Sequence, residues 1–179
     1  GRVLWDGRDI TRDAPGDRPL SMIFQDNNLF PHLTVFQNVA LGLRPSLRLS
    51  DEEARRVGDA ISHVGLSGFG DRKPGALSGG QQSRVALARM LLRDRPLALL
   101  DEPFAALGPA LRAEMLDLVG RLARETGITV LIVTHDPRDA EQIADEVVLV
   151  ADGTAAAPVA TAALFADPPE ALRAYLGTS

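Results

Sequence analysis

The stretch LSGGQQSRVALAR at Leu77–Arg89, followed by LALLDE at Leu97–Glu102, decides the fold of this chain. Three small residues, Ser78–Gly80, open a helix that ends at Asp94-Arg95-Pro96, and an apolar strand then ends on two acidic residues. The start of such a helix suits a phosphate, because its first N–H groups are unpaired and the helix dipole attracts anions. A strand end with two carboxylates suits a divalent cation beside a general base. Together the two features indicate nucleotide chemistry.

Composition narrows the class of protein. A chain of 179 residues is long enough for one domain, or for one domain with an inserted subdomain, around a sizeable core. A formal net charge of −5 and the lack of a basic run argue against non-specific nucleic-acid binding. The lack of cysteine excludes disulfides and cysteine–zinc sites. No apolar segment approaches the roughly 18 residues that a bilayer span needs, so any membrane role must go through a partner.

Short strands precede the opening stretch. Gly1–Trp5 is predicted as a strand, with Asp6-Gly7 as its turn and Arg8–Thr11 as its return. A start of this kind, on a strand residue with no cap before it, predicts that the chain is cut before Gly1. Leu20–Phe24 is apolar enough for a buried strand, and it ends on the polar loop that begins with Gln25.

Residues 26–93 are predicted to form a helical insertion in an α/β core. A first helix covers Thr34–Leu43 with Thr34 as its cap, and a second follows the capping box of Ser50 and Glu53. The second helix ends at Gly65. Its apolar residues on one face are Ala54, Val57, Ile61 and Val64.

After the opening stretch, strands and helices alternate, which predicts a parallel sheet with right-handed crossovers. The predicted elements are a strand at Leu97–Leu100, a helix from Pro109 to Gly127, a strand at Thr129–Thr134, a helix capped by Asp136-Pro137 and a strand at Glu146–Val150. The run TVLIVT has no polar alternation and therefore predicts a central strand covered on both faces. A turn at Asp152-Gly153 and short helices around Pro168-Pro169 follow.

Three strand ends carry polar residues that suit a ligand site, because ligands of parallel α/β sheets bind outside the carboxyl ends of the strands. Asp101 lies at that edge, where its carboxylate can hold Mg²⁺. Glu102 points elsewhere and is free to orient an attacking water as a general base, unless both acids only cap the next turn. His135 either contacts a γ-phosphate or caps the following helix. Gln25 is either a metal or water ligand or a polar loop residue.

At these residues the chain resembles the ATP-binding subunits of ABC transporters. LSGGQ at Leu77–Gln81 is similar to the signature of that family, and LALLDEP at Leu97–Pro103 to a Walker B strand with its glutamate. FQDN at Phe24–Asn27 is similar to the Q-loop, and VTHD at Val133–Asp136 to the switch histidine. The order and the spacing agree along essentially the whole chain.

Within the family, two longer segments, Phe24–Leu43 and Asp101–Leu116, are most similar to the ATPase subunits of thiamine importers. An importer for another small solute stays open, since such an ATPase never touches the cargo. A soluble family member acting on DNA or in translation is expected to carry coiled-coil or basic insertions or two tandem domains, and the sequence has none of these. A degenerate, non-hydrolytic fragment that serves only as a binding module also stays open.

The resemblance implies a P-loop NTPase-type parallel sheet core with an inserted helical subdomain, divided into residues 1–25, 26–93 and 94–179. It implies ATP and Mg²⁺, and a head-to-tail homodimer that encloses ATP between opposed subunits. The implied roles are γ-phosphate contacts from Ser78, Gly79, Gly80 and Gln81 to nucleotide bound mainly by the other copy, Mg²⁺ binding by Asp101 and Gln25, the hydrolytic water for Glu102 and the γ-phosphate for His135.

The resemblance also implies partners and a location. The helical block around residues 26–76 would dock a membrane permease, which a periplasmic or surface solute-binding protein serves in turn. Nucleic acid is not among the implied partners. The chain would work as a peripheral subunit on the cytoplasmic face of the bacterial inner membrane.

Three departures from the family pattern qualify these roles. No G-x-x-x-x-G-K-[ST] occurs, and Lys73, the only lysine, is not in a glycine-rich loop. The first core strands and the phosphate-binding loop are therefore expected before Gly1, and this chain alone is not expected to bind ATP tightly or to hydrolyse it. Gly108 stands where the D-loop has an aspartate, which puts communication across the dimer in doubt. Gln82-Ser83 replaces a basic residue and a glutamine, which predicts looser contacts near the nucleotide.

Overall fold

The computed structural model describes residues 1–177. Its strands are β1 (Leu4–Trp5), β2 (Arg8–Asp9), β3 (Leu20–Ile23), β4 (Leu97–Asp101), β5 (Thr129–Val133), β6 (Glu146–Val147), β7 (Val150–Ala151), β8 (Thr154–Ala155) and β9 (Val159–Ala160). Its helices are α1 (Val35–Ala40), α2 (Asp51–His63), α3 (Gly79–Leu92), α4 (Pro109–Thr126), α5 (Pro137–Ile143), α6 (Thr161–Ala166) and α7 (Glu170–Leu176), with a 3₁₀ turn at Pro74–Ala76. Across residues 1–177, no helix combines the length and the apolar character that crossing a bilayer demands.

A parallel sheet of three strands, in the order β3-β4-β5, forms the α/β core. Leu20 lies beside Leu97 at one end, and Asp101 lies beside Val133 at the other. The central strand β4 buries Ala98 and Leu100 completely. Because all three strands run in the same direction, their carboxyl ends meet at one edge, as the sequence predicts.

The expectation that β5 is a central strand covered on both faces is wrong. Within residues 1–177, β5 is an edge strand of the parallel sheet, and its residues alternate between exposed and half-buried. Leu131 is 53% exposed and Val133 is 54% exposed, on the same face as Met22 of β3. Val130 and Ile132 pack on the core from the other face. The uninterrupted apolar run therefore predicts the strand correctly, but it predicts wrongly that both faces of the strand are covered.

The predicted strand Glu146–Val150 is also divided. Its first part, β6, pairs antiparallel with β9, while β7 forms an antiparallel hairpin with β8 across the predicted turn at Asp152-Gly153. Both turn residues have positive φ, as this tight hairpin requires. Helix α5 has seven residues and rises only about 10 Å, which is less than the about 16 Å of the five-residue strand β5. Within residues 1–177, no strand after β5 pairs parallel with the sheet.

The helical block consists of α1, α2 and α3, and each of these helices begins with a reciprocal capping box. Thr34 pairs with Gln37, Ser50 with Glu53, and Ser78 with Gln81. Two of these caps were predicted at the correct residues. Helix α3 is buried nearly all round, because it packs on α1, on α2, on the sheet and on α4. The block lies inside residues 26–93, and its separate status as a subdomain stays a prediction.

A buried asparagine holds the loop that leads into α1. Asn38 is completely buried and sits in the middle of this short helix. Its Oδ1 accepts from the N–H of Phe30 at 2.8 Å. Its Nδ2 donates to the carbonyl oxygens of Phe30, Leu33 and Thr34. One side chain thus satisfies the main chain of a loop that no secondary structure stabilises.

Replacing Asn38 by alanine is expected to lower the free energy of unfolding by about 1–3 kcal/mol, because the loop loses partners that water does not replace at a buried site. Urea unfolding followed by circular dichroism measures the change. Arg56→Ala, on the exposed face of α2, is the control and should shift stability by less than about 0.5 kcal/mol. Equal effects of the two substitutions would contradict this account of the loop.

Candidate nucleotide site

The edge of the parallel sheet brings a carboxylate and an imidazole together. Nδ1 of His135 lies 3.1 Å from Oε2 of Glu102. Glu102 directly follows β4, and His135 lies two residues after the end of β5. The N–H of Glu102 donates to the carbonyl oxygen of Val133 at 3.0 Å. That bond extends the ladder between β4 and β5 by one step beyond Asp101. Both side chains are accessible, at 34% for Glu102 and 59% for His135.

The backbone of Glu102 separates the two adjacent acids. Its φ is +42°, in the left-handed region that non-glycine residues rarely adopt. This conformation ends the extended strand at Asp101 and begins the turn in which the N–H of Ala105 donates to the carbonyl oxygen of Glu102. Asp101 and Glu102 therefore face different surroundings, as the sequence predicts, and Glu102 faces His135.

Asp101 and Gln25 lie at the ends of neighbouring strands. Ile23 of β3 is in register with Leu100 of β4, so the next residues of both strands reach the same edge. Both side chains are exposed, and neither forms a hydrogen bond within residues 1–177. The described residues contain no cluster of three His, Cys, Asp or Glu side chains that could hold a metal ion. These oxygen donors fit Mg²⁺, which takes one or two protein ligands and fills its other positions with phosphate and water.

A cluster of charged side chains supports the loop that carries His135. Arg112 of α4 donates to both carboxylate oxygens of Asp139 and to Oγ1 of Thr134. Thr134 in turn donates to Asp139 at 2.6 Å and accepts from the N–H of Asp136 at 3.0 Å. Asp139 is only 6% exposed, and its hydrogen bonds raise the pKa of Arg112 above its ordinary value.

Asp136 caps α5, so the alternative in which His135 caps this helix is wrong. Its carboxylate accepts from the N–H of Arg138 at 3.1 Å and also binds the guanidinium of Arg138. The hydrogen bond from the Arg138 side chain, and then the Arg138 N–H and the charges of Arg138 and Arg112, hold the pKa of Asp136 at about 2. His135 is therefore not the helix cap and is left to face Glu102. A further bond runs from the Tyr175 hydroxyl to the carbonyl oxygen of His135 at 2.6 Å.

The signature residues Ser78–Gln81 form the start of α3, where they cap the helix and leave two main-chain N–H groups without a partner within residues 1–177. Oγ of Ser78 accepts from the N–H of Gln81, whose Oε1 accepts from the N–H of Ser78. These two bonds form a capping box, and the N–H groups of Gly79 and Gly80 still have no partner within residues 1–177. Within the same part of the chain, no hydrogen bond or ion pair joins Ser78–Gln81 to Glu102 or His135.

Gln82 and Ser83 both bond to the main chain at this helix start, and the expectation of looser contacts near the nucleotide stays a prediction. Nε2 of Gln82 donates to the carbonyl oxygens of Pro74 and Leu77, and Oγ of Ser83 donates to that of Gly79. Gln82 therefore holds the helix to the turn before it.

The two signature glycines allow a close approach of the next segment. A Cβ on Gly79 would lie 3.3 Å from Cδ2 of Leu107, and one on Gly80 would lie 2.7 Å from Cδ2 of Leu111. The second distance is shorter than real contacts of this kind, so a larger residue at Gly80 would displace Leu111. Packing within the chain thus explains Gly80 without any ligand.

Gly108 is the N-cap of α4 and provides no side-chain hydrogen bond there. A Cβ at this position would meet nothing within 4 Å, so the fold itself does not require glycine. The carboxylate that the family pattern has at this position would cap the helix. Its loss removes a cap from α4 and a charge from the surface.

Comparison with known proteins assigns the family. The model of the family described as ABC transporter matches residues 1–105. A thiamine import ATP-binding protein of Cereibacter sphaeroides is 63% identical over 177 residues, which cover 99% of this chain and 77% of that protein. The corresponding protein of Ruegeria sp. is 58% identical over 99% of this chain and 77% of its own length. The chain belongs to the ABC transporter family.

A solved structure supports the fold. The dimeric, post-hydrolysis state of the ATP-binding cassette MJ0796, bound to ADP and phosphate, superposes with a TM-score of 0.74 at 32% identity. The match covers 90% of this chain and 73% of that chain. The architecture is therefore that of an ABC ATPase, with a parallel α/β core and helices, as the sequence predicts.

Replacing Gly80 by alanine is expected to lower the free energy of unfolding by about 1 kcal/mol, because the new methyl group displaces the end of the half-buried Leu111 side chain. Gly58→Ala is the matched control, since Gly58 lies inside α2 with nothing within 4 Å of a Cβ. That substitution should instead raise stability by about 0.5–1 kcal/mol. Urea unfolding measures both variants, and a Gly80→Ala protein as stable as Gly58→Ala would refute the packing role of Gly80.

Proposed function

We propose that this chain supplies the signature, the Walker B acids and the switch histidine of the ATP-hydrolysing subunit of an importer for thiamine. The observation that carries the proposal is the pair of Glu102 and His135, 3.1 Å apart at the carboxyl edge of the parallel sheet. The assignment of the solute rests on the relatives, which are named thiamine import ATP-binding proteins and are 53–63% identical to this chain.

Glu102 acts as the general base in this proposal. Its carboxylate accepts a proton from the water that attacks the γ-phosphorus, while the bond to the leaving oxygen of ADP breaks on the opposite side. The ladder bond to Val133 fixes the main chain of Glu102 at this point. His135 bonds to the carboxylate through Nδ1, and in its imidazolium form, in which both ring nitrogens donate, its Nε2 would donate to an oxygen of the γ-phosphate.

Asp101 and Gln25 would hold Mg²⁺ through their side-chain oxygens. When bound, Mg²⁺ neutralises the charge that develops on the β- and γ-phosphates. The exposure of both side chains at one sheet edge supports this role, because water and phosphate must complete the coordination.

The signature residues Ser78–Gln81 would complete the site of a second copy. Two observations support this. The signature has no polar contact with Glu102 or His135 of its own chain within residues 1–177, and its free N–H groups and the helix dipole favour an anion. A head-to-tail homodimer with two-fold symmetry then contains two such shared sites. The solved relative of 32% identity is itself described as dimeric.

The helical block would dock the membrane permease. Phe24 and Phe30, which are 41% and 47% exposed, border a cavity of about 180 Å³ beside α3. Arg89 lines the same cavity and donates to the carbonyl oxygens of Asn27 and Asn28, so the segment after Gln25 is fixed to the signature helix. Exposed aromatic and arginine side chains are enriched at protein interfaces. A force on this surface would therefore reach both the Q-loop and the signature.

These roles define the location and the wider assembly. The chain would be a peripheral subunit on the cytoplasmic face of the bacterial inner membrane, attached through the permease. A periplasmic or surface solute-binding protein would act on the opposite face and would not touch this chain. No nucleic acid takes part.

Glu102→Gln, made in the natural subunit assembled with its permease, is expected to abolish ATP hydrolysis and thiamine uptake while ATP still binds. The amide keeps the shape of the side chain but does not accept the proton from water. Phosphate release and uptake of labelled thiamine into vesicles measure the two activities. Glu141→Gln, at an exposed position of α5, is the control and should behave as wild type.

Two results would contradict parts of the proposal separately. Hydrolysis at the wild-type rate in Glu102→Gln would remove Glu102 from the base role. Hydrolysis that thiamine and its binding protein leave unchanged, but that another solute stimulates, would keep the ATPase and overturn the choice of solute.

A further inference from the structure

The side chains of Arg112, Thr134 and Asp139 form a closed hydrogen-bonded cluster directly behind His135. Each member bonds to the other two: Arg112 to Asp139 at 2.8 Å, Arg112 to Thr134 at 3.1 Å and Thr134 to Asp139 at 2.6 Å. The cluster is well shielded from water, with side-chain exposures of 16% for Arg112 and 9% for Asp139. Such shielding strengthens the bonds and makes any broken one costly.

The cluster fixes the main chain on both sides of His135. Thr134 precedes the histidine and is held by Arg112, and its Oγ1 accepts the N–H of Asp136, which follows the histidine, at 3.0 Å. The ends of the three-residue segment are therefore bonded to each other through one hydroxyl group. The His135 side chain, in contrast, is exposed and touches only Glu102 among the side-chain polar groups of residues 1–177. Its orientation then depends on Glu102 and on its own main chain.

The cluster also connects the loop that carries His135 to the signature helix α3. Arg112 lies in the first turn of α4, beside Leu111, whose Cδ2 packs against Gly80 of the signature. A shift of this turn would move the partner of the signature and the support of the switch histidine together.

We propose that Arg112, Thr134 and Asp139 are positioning residues that hold His135 against Glu102 for hydrolysis. This inference rests on the proposed function, because it assigns the support of the same catalytic pair. None of the three touches ATP in this proposal, so their loss should slow the chemical step and leave nucleotide binding nearly unchanged.

Thr134→Val tests the proposal most sharply, because valine keeps the shape of threonine and removes only the hydroxyl group. In the natural subunit assembled with its permease, kcat for ATP should fall about tenfold or more, since small misplacements of catalytic groups have effects of this size. KM for ATP should change by less than about twofold. Thr134→Ser restores the hydroxyl and should return kcat to near the wild-type value.

Thr129→Val is the matched control. Thr129 is an exposed residue at the start of β5, the strand that ends just before Thr134, and its N–H donates to the carbonyl oxygen of Pro96. This variant should keep the wild-type kcat. Thermal unfolding midpoints of all variants separate a loss of folded protein from a loss of turnover per folded molecule.

The outcomes separate this inference from the proposed function. The positioning role would be overturned by a wild-type kcat in Thr134→Val, or by a kcat in Thr134→Ser as low as that in Thr134→Val. In either case, loss of hydrolysis in Glu102→Gln would still support the proposed function. If Thr134→Val does not assemble, Arg112→Lys keeps the charge but loses the paired geometry. It should show the same loss of kcat, and a wild-type kcat there would overturn the proposal.

Discussion

The parallel pairing of β4 with β5 is the interaction on which the site depends. Their ladder runs from Leu97 beside Thr129 to Asp101 beside Val133, and one more bond adds the N–H of Glu102. A register shift of one residue would turn every side chain to the opposite face and separate Glu102 from His135. The left-handed backbone of Glu102 costs about 1–3 kcal/mol in isolation. The ladder and the following turn hold it in place, so the fold maintains a strained residue where the proposed chemistry needs it.

Helix α3 is the second constraint, because one helix contacts the helical block, the sheet and α4. Small residues at its start allow Leu107 and Leu111 to approach, and its body buries Val85, Leu87 and Ala88 completely. A helix enclosed in this way transmits displacements instead of absorbing them, because close-packed interiors deform little. Arg89 at one end holds the segment after Gln25. The first turn of α4 at the other end carries both Leu111 and Arg112. Contacts of α3 and α4 therefore link Gly80, the segment after Gln25 and the residue before His135.

Local signals predicted most of what the site needs, and long-range contacts account for what they missed. The caps at Thr34 and Ser50 depend on residues three positions apart, and the strand ends follow from apolar runs that stop at polar residues. Arg112 and Asp139 are 27 positions apart, so nothing local marks them as a pair. Asp139 is also buried in a short helix, where a pattern of hydrophobic residues gives no signal for a carboxylate. The prediction that β5 is covered on both faces is wrong for a related reason. An apolar run shows which surroundings a strand tolerates, but it does not show which elements pack on the strand.

The central claim is that each chain supplies the hydrolytic residues of one site and the signature of another. Co-assembly of two inactive subunits with the permease tests it most directly: Glu102→Gln lacks the base, and Ser78→Asp keeps a good helix cap but repels phosphate. A mixed dimer then contains one site with both halves intact, and ATP hydrolysis by purified mixed transporters should recover to about half the wild-type rate. Mixed transporters no more active than either parent would contradict the claim, because both lesions would then act within a single chain.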